Sequence, residues 1–195
     1  NAHATLSGRR DAHALSFEAS LPDWHATATL AGGLDAAQTW RGELKTADVQ
    51  SPWPMRLLAP ATLVLSRDSQ QASALAFSLA GARVDMAELR RDPAMLATRG
   101  RLANLPVAPL LTLLDPPPPL GTDLRVDGDW NLKLGSTLDG EARLVRVGGD
   151  VKLNDPALAL GLSRLELSLK AAANHAQLHA AVESRDAGHA RPHPR

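Results

Sequence analysis

The chain has 195 residues, which is enough for one domain with a sizeable core. Its 21 basic and 21 acidic side chains cancel, which argues against a general nucleic-acid binder, since such proteins carry a basic excess or stripe. The absence of Cys excludes disulfides and cysteine-based zinc sites. Hydrophobic residues reach 44% but aromatic residues only 3%, so any apolar surface is built mostly from Ala, Leu and Val.

The first quarter of the chain, as far as Ala47, alternates apolar and polar residues in short segments. Leu15 and Phe17 share one face of such a segment, and Trp24 to Leu30 repeats the pattern after a turn. Gly32-Gly33 marks the next turn. Strand, turn and strand at this spacing predict an all-β architecture.

The middle of the chain continues this pattern and then departs from it. The strand pattern is interrupted at Ser51-Pro52-Trp53-Pro54, because neither Pro has an amide hydrogen to donate to a neighbouring strand. Strands are predicted again at 61–67 and at Leu75 to Leu79. We expect one or two helical turns within Val84 to Leu96, limited by Pro93, and then a strand at 98–104. The main predicted helix is an insertion at about 105–114, with its prolines early, followed by a Pro-rich linker at 115–119.

The clearest alternation runs from Leu124 to Leu134, where every even position is apolar or Gly and every odd position is charged or an amide. After a turn, 138–144 alternates again, which predicts two long antiparallel strands. Further strands are predicted at 165–171 and 176–182. The polar, Pro-broken stretch 185–195 is predicted to be a disordered tail.

A search for reactive groups finds no catalytic constellation and no cofactor motif, so we do not expect an enzyme. His175 and His179 have helical metal-ligand spacing, but on a strand they lie about 13 Å apart, too far to share one metal. Asp127 and Asp129 share a solvated face that gives no reason for a raised pKa. We predict no metal site.

A sheet with one continuous aliphatic face must cover that face. A second sheet could pack on it as a sandwich, or the face could contact bilayer lipid as an outer-membrane barrel, although such barrels carry aromatic girdles and this chain has no Tyr. In the third arrangement the sheet leaves an apolar groove that lipid chains fill. The residue pattern alone leaves all three open.

Several motifs resemble the mid-to-late part of the TamB family, within the wider AsmA-like group. The similarity covers about residues 10–185, and it rests on short motifs that follow one another in the order used by that family. These motifs are Trp40-Arg41-Gly42, Pro60-Ala61-Thr62-Leu63, Gly100-Arg101-Leu102, Leu105-Pro106-Val107, Trp130 to Gly135, Leu138-Asp139-Gly140 and Leu144 to Asp150.

The resemblance implies a mainly β fold, in which residues 1–184 form a long antiparallel sheet bent into a β-taco groove with a hydrophobic concave face and one short inserted helix. It also implies an internal segment of a periplasm-spanning protein, anchored in the inner membrane by a helix outside this segment. Such proteins conduct phospholipids toward the outer membrane. They also partner a BamA-like outer-membrane protein of the TamA type in a translocation and assembly module, so the alternative is a scaffold for outer-membrane protein insertion or autotransporter secretion.

The residues expected to line the groove for phospholipid acyl chains lie on the apolar side of the predicted strands. They are Leu75, Phe77, Leu79, Leu124, Val126, Leu132, Leu134, Leu165, Leu167 and Leu169. Arg125 and Asp127, on the polar side, are predicted to tolerate substitution.

Overall fold

One antiparallel sheet forms most of the molecule in the computed structural model, which describes residues 1–116, 118–153, 159–173 and 175–184. The strands in chain order are β1 Ala2–Arg9, β2 Ala12–Leu21, β3 Trp24–Leu34, β4 Trp40–Gln50, β5 Met55–Ala59, β6 Ala61–Leu65, β7 Gln70–Leu79, β8 Ala82–Arg91, β9 Leu96–Pro106, β10 Leu120–Thr122, β11 Arg125–Leu134, β12 Leu138–Gly148, β13 Val151–Leu153, β14 Leu162–Ala172 and β15 His175–Ser184. One helix, α1, spans Ala108–Leu111. The sequence-predicted fold class, a long antiparallel sheet with one short helix, is confirmed.

The main sheet is an antiparallel meander of thirteen strands, whose order across the sheet follows their order along the chain and leaves out β10 and β13. β5 and β6 share a single position between β4 and β7, and Pro60, which lacks an amide donor, separates them. At about 4.8 Å per strand, the twelve positions place the first and last strands roughly 53 Å apart. β10 and β13 form a separate two-stranded sheet.

The connections follow local sequence chemistry. Ala80 and Gly81 join β7 to β8 with φ values of 49° and 86°. Two positive φ values in a two-residue connection are typical of a type I′ turn, whose twist matches that of the flanking strands. The predicted hairpin at 124–144 is confirmed as β11 and β12, with Leu134 directly opposite Leu138.

One helical prediction is wrong, and a second is correct only in part. The stretch beginning at Val84 is a strand, β8, which pairs with β7 on one side and β9 on the other. The insertion predicted at 105–114 is helical only in α1, because Leu105 pairs with Val126 and so belongs to β9. The predicted tail at 185–195 and Pro117 of the predicted linker lie outside the described residues.

The described residues hold little buried core. Apart from six alanines, the buried apolar side chains are Val84, Leu124, Val126 and Leu162. The last three form one cluster, against which Val151 of β13 and Val107 pack. None of the described helices has the length and apolar composition needed to cross a bilayer.

Candidate functional site

The candidate site is the apolar face, defined as the side of the main sheet that carries Phe77, Trp130 and Leu132. Residues paired across antiparallel strands project to the same side, so the register traces continuous rows across this face. One row crosses seven strands through Phe77, Val84, Leu102, Gly128, Leu144, Leu167 and Ala180. A second row passes through Leu75, Met86, Gly100, Trp130, Ala142, Leu169 and Leu178. A third passes through Ala72, Leu89, Thr98, Leu132, Gly140, Ala171 and Ala176.

Most of this face has no second layer. A packed second sheet would bury the leucines completely, yet no large side chain among the described residues is fully buried. Leu75, Phe77, Leu132, Leu167 and Leu169 are all half-buried. They contact their neighbours within the rows and keep one side open, so the face is a broad apolar surface.

The ten predicted lining residues fall into four groups. Half-buried positions on the open part of the face are Leu75, Phe77, Leu79, Leu132, Leu167 and Leu169. Leu165 is half-buried too, but it packs against the cluster of Leu124, Val126 and Leu162. Leu134, at the end of β11, is 42% exposed. Leu124 and Val126 are only 4% and 6% exposed, so they lie beneath a cover and not on an open wall.

Two tryptophans lie close against the apolar face because glycines leave room for them. A Cβ atom on Gly100 would come within 2.6 Å of the Trp130 indole, so the ring occupies the space above that glycine. Trp40 covers Gly32 and Gly42 in the same way. The indole N–H of Trp130 donates to the Thr98 hydroxyl at 3.0 Å, and the Trp40 N–H donates to His13 Nε2 at 2.8 Å.

One end of the face is covered by the β10–β13 pair. Val151 of β13 packs against the cluster of Leu124, Val126 and Leu162, and so does Val107, next to α1. Burying an apolar side chain of this size stabilises the fold by about 1.5–3 kcal/mol. This is the only cluster of buried apolar residues found in the described ranges.

Asp150 ties the cover to the main sheet. Its Oδ1 accepts the amides of Leu162 at 3.1 Å and Val151 at 2.8 Å, and its Oδ2 accepts the Gly161 amide at 2.8 Å. These backbone donors, led by Leu162, lower the pKa of the Asp150 carboxyl. The Asp123 carboxylate accepts a hydrogen bond from the Asp150 amide at 2.7 Å. This bond is the largest cause of the lowered pKa of Asp123.

The opposite side, the polar face, carries charges of alternating sign. Asp85, Arg101, Asp129 and Arg143 stand opposite one another on β8, β9, β11 and β12. Opposite charges that face each other across neighbouring strands favour this register. A shifted register would place like charges opposite each other and would be disfavoured. The pairs are exposed, so each adds little to stability.

Ionisable groups of the polar face are held in their charged forms. Hydrogen bonds from Arg143, and then from Arg164, lower the pKa of Glu166. The Arg83 guanidinium lowers the pKa of Asp85. Wherever a described carboxyl has a shifted pKa, the shift is downward. A lowered pKa favours the ionised form, whereas a general acid needs a carboxyl that keeps its proton.

Three surface hollows, of about 670, 570 and 450 Å³, lie along the polar face. Charged side chains line each of them: Arg101 and Asp129 the first, Asp85 the second, and Glu141 and Lys170 the third. The described residues contain no group of three or more potential metal ligands. These hollows belong to the polar face and are separate from the candidate site on the apolar face.

Sequence reasoning missed Val84, Met86 and Leu89 of β8, which it assigned to a helix. Their spacing is two and then three, because the sheet register shifts between Met86 and Glu88. The extra residue, Ala87, turns a strand pattern into one that looks helical. In the sequence, only the two-residue spacing of Val84 and Met86 indicated that this stretch is a strand.

Compared with known proteins, the chain matches no family model, no curated protein and no solved structure.

Proposed function

We propose that the apolar face binds the acyl chains of phospholipids, and that this chain is a segment of a periplasmic lipid conduit of the TamB-like kind. The observation that carries the proposal is a seven-strand apolar surface whose leucines remain half-buried without a second layer. Covering such a surface removes hydrocarbon from water, which favours binding by about 0.8 kcal/mol for each methylene of the ligand.

The composition of the rows favours sliding over fixed binding. Small residues such as Gly128, Gly140 and Ala142 alternate with leucines, and the Trp130 ring fills the space above Gly100. An aliphatic surface of this kind offers similar contacts along its length and no single deep site. A lipid would keep its head group in water at the margin of the sheet.

The proposal includes partners that lie outside this chain. A membrane-anchored parent protein would supply the connection to the inner membrane, and a BamA-like outer-membrane protein of the TamA type would receive the lipid or assemble with the parent. Support for these partners comes from the motif resemblance and not from the geometry.

The test compares two new carboxylates on adjacent residues. Leu132→Asp places a charge on the apolar face, whereas Asn131→Asp places it on the polar face, where Asn131 is already exposed. Each purified chain is incubated with phosphatidylethanolamine–phosphatidylglycerol vesicles, separated from them, and extracted for lipid mass spectrometry. We expect Leu132→Asp to lower recovered phospholipid by roughly tenfold, because a carboxylate against hydrocarbon costs more than about 1.4 kcal/mol.

Asn131→Asp should retain lipid at the level of the unmodified chain. Equal recovery from both variants, with circular dichroism showing that both are folded, would remove the apolar face from the proposal. Absence of lipid from the unmodified chain would contradict the proposal outright.

A second candidate function is a scaffold that templates the β-strands of outer-membrane proteins. The observation that favours it is the exposed strand β1, whose eight residues are all exposed. Photocrosslinking from β1 to an unfolded outer-membrane protein tests this function. Crosslinks to lipid from Leu132, without crosslinks to protein from β1, would favour the conduit instead.

A further inference from the structure

The connections between strands collect at two opposite ends of the main sheet. Successive strands of an antiparallel meander run in opposite directions, so every second connection lies at the same end. The first end, here the charged end, carries the connections 10–11, 35–39, 66–69 and 92–95. The second end, here the leucine end, carries the connections 22–23, 51–54, 80–81 and 107–119.

The two ends differ in charge. Arg and Asp are adjacent in the sequence at three places of the charged end, which are 10–11, 67–68 and 91–92. The four connections of the leucine end contain no Arg or Lys. Its exposed apolar side chains are Leu21, Trp24, Leu113 and Leu114. The sheet is therefore amphipathic along its strands as well as through its thickness.

A hollow of about 360 Å³ lies at the charged end, between the connections 10–11 and 35–39. Its lining residues are Arg10, Asp11, Leu34, Asp35, Ala36 and Gln38. The Leu34 amide donates to the Arg10 carbonyl at 2.9 Å, and the Asp11 carbonyl lies where a Cβ atom on Gly33 would stand. The connection 10–11 therefore packs directly against the end of β3.

Two charges of the hollow are available to a ligand. Asp35 is already occupied, because Oδ1 accepts the amides of Ala37 and Thr39 and Oδ2 accepts a hydrogen bond from Arg41. The ion pairs formed among the described residues include neither Arg10 nor Asp11, and both residues are exposed. The hollow thus presents one guanidinium and one carboxylate from adjacent residues.

The hollow is continuous with the apolar face. Leu34, one of its lining residues, pairs with Trp40, whose ring lies against that face over Gly32 and Gly42. A ligand that complements the hollow carries an anion and a cation a few bonds apart, and hydrocarbon that continues onto the apolar face. Guanidinium groups bind phosphate, and carboxylates bind ammonium groups.

We propose that this hollow binds the phosphoethanolamine head group of phosphatidylethanolamine, with the phosphate at Arg10 and the ammonium group at Asp11. The inference rests on the proposed function, because it adds a head-group site to the face that takes acyl chains. The hydrocarbon then extends along the strands toward the leucine end, and the ten residues of β2 give it about 33 Å. The pairs at 67–68 and 91–92 repeat the same charges at intervals of about 10–20 Å across the sheet.

The first test measures which lipid the chain selects. Each purified chain is incubated with equimolar phosphatidylethanolamine–phosphatidylglycerol vesicles, separated from them, and extracted for lipid mass spectrometry. Only the first lipid carries an ammonium group, so the unmodified chain should enrich it by about two- to fivefold, the range of an exposed ion pair. Asp11→Asn should return the recovered lipids to the vesicle ratio.

Two further variants separate the roles of the two charges. Asp23→Asn is the matched control, since Asp23 is also exposed in a two-residue connection but lies at the leucine end, and it should keep the enrichment. Arg10→Gln should lower the recovery of both lipids by about two- to fivefold without changing their ratio, because both carry the phosphate.

The second test uses head groups without acyl chains. Glycerophosphoethanolamine at millimolar concentration should shift the backbone amide signals of Asp11 and Ala36 in nuclear magnetic resonance spectra, and glycerophosphoglycerol should shift them much less. Equal shifts from the two compounds, or from inorganic phosphate, would reveal a site for anions alone and would overturn the proposal.

The two proposals can fail separately. Lipids recovered at the vesicle ratio from the unmodified chain, or equal ratios from Asp11→Asn and Asp23→Asn, would overturn the head-group site and leave acyl-chain binding in place. Absence of lipid from the unmodified chain would contradict acyl-chain binding, and the soluble head groups then decide by themselves whether the hollow binds an ammonium–phosphate pair.

Discussion

The covered and open parts of the apolar face share one sequence pattern and differ in what lies above them. Val126 and Leu132 occupy the same strand and the same face, yet Val126 is buried in a cluster against which Val107 and Val151 pack, whereas Leu132 is half-buried with no layer over it. Alternation determines which face is apolar. It does not determine whether that face is covered, because the cover comes from residues far along the chain.

The largest expected difference in stability is between leucines of the two regions. Leu124→Ala should lower the free energy of unfolding by about 2–4 kcal/mol, since it leaves a cavity in the only packed cluster of the described chain. Leu132→Ala should lower it by about 1 kcal/mol or less, since that side chain is already in partial contact with solvent. Urea denaturation measures both, and equal losses would mean that the open face is covered in solution.

A substitution at Gly100, which the Trp130 ring covers, is expected to have an intermediate effect on stability. Gly100→Val should destabilise the chain by about 1–3 kcal/mol, because the new side chain meets the indole ring. Gly148→Val is the matched control, since nothing lies within 4 Å of a Cβ atom there. The near-ultraviolet circular dichroism of tryptophan should change only in the first variant, and an unchanged spectrum would contradict the placement of the ring.

The cover should respond to acid more than a strand of the main sheet that carries no carboxyl. The folded pKa of Asp150 is lowered, so its contribution to stability is complete above the ordinary value near 3.8 and is lost as the pH falls below that value. Hydrogen exchange at pH 7 and pH 3 should show loss of protection at Gly161 and Leu162 before β3, which carries no carboxyl, loses its protection. Asp150→Asn should weaken protection there at pH 7 and flatten its pH dependence, and parallel loss throughout the sheet would refute a separate cover.

The smallest effect is expected on the polar face. Lys45→Ala removes an exposed ion pair with Glu43 and should change the free energy of unfolding by less than about 0.5 kcal/mol. Thermal unfolding checks this value. A loss as large as that of Leu132→Ala would show that charge pairing, and not the apolar face, holds this part of the sheet together.

Asp127 does not serve as the neutral control that its position suggests. Its Oδ1 accepts the amide of Asn104 at 2.7 Å, and Asn104 has a φ of 61°. This bond stabilises the backbone where β9 and β11 change register. Asn131 is the better control because it is exposed on the same polar face.

The strands and the identity of their apolar face could be predicted from the sequence, since period-two alternation is a local signal. The β8 strand and the end of β9 could not, because extra residues at Ala87 and Asn104 change apolar spacings from two to three. That spacing also fits a helix. The burial of Leu124 and Val126 escaped prediction because it depends on Val151 and Leu162, which no local pattern connects to them.

The most direct test of the central claim is photocrosslinking at single positions along β11 in the presence of phospholipid vesicles. A benzophenone side chain at Leu132 projects from the open apolar face, and one at Asn131 projects from the polar face one residue away. The account predicts phospholipid adducts at Leu132, detected by mass spectrometry of the intact chain, and none above background at Asn131. Adducts of equal yield at both positions, or protein adducts alone at Leu132, would contradict it.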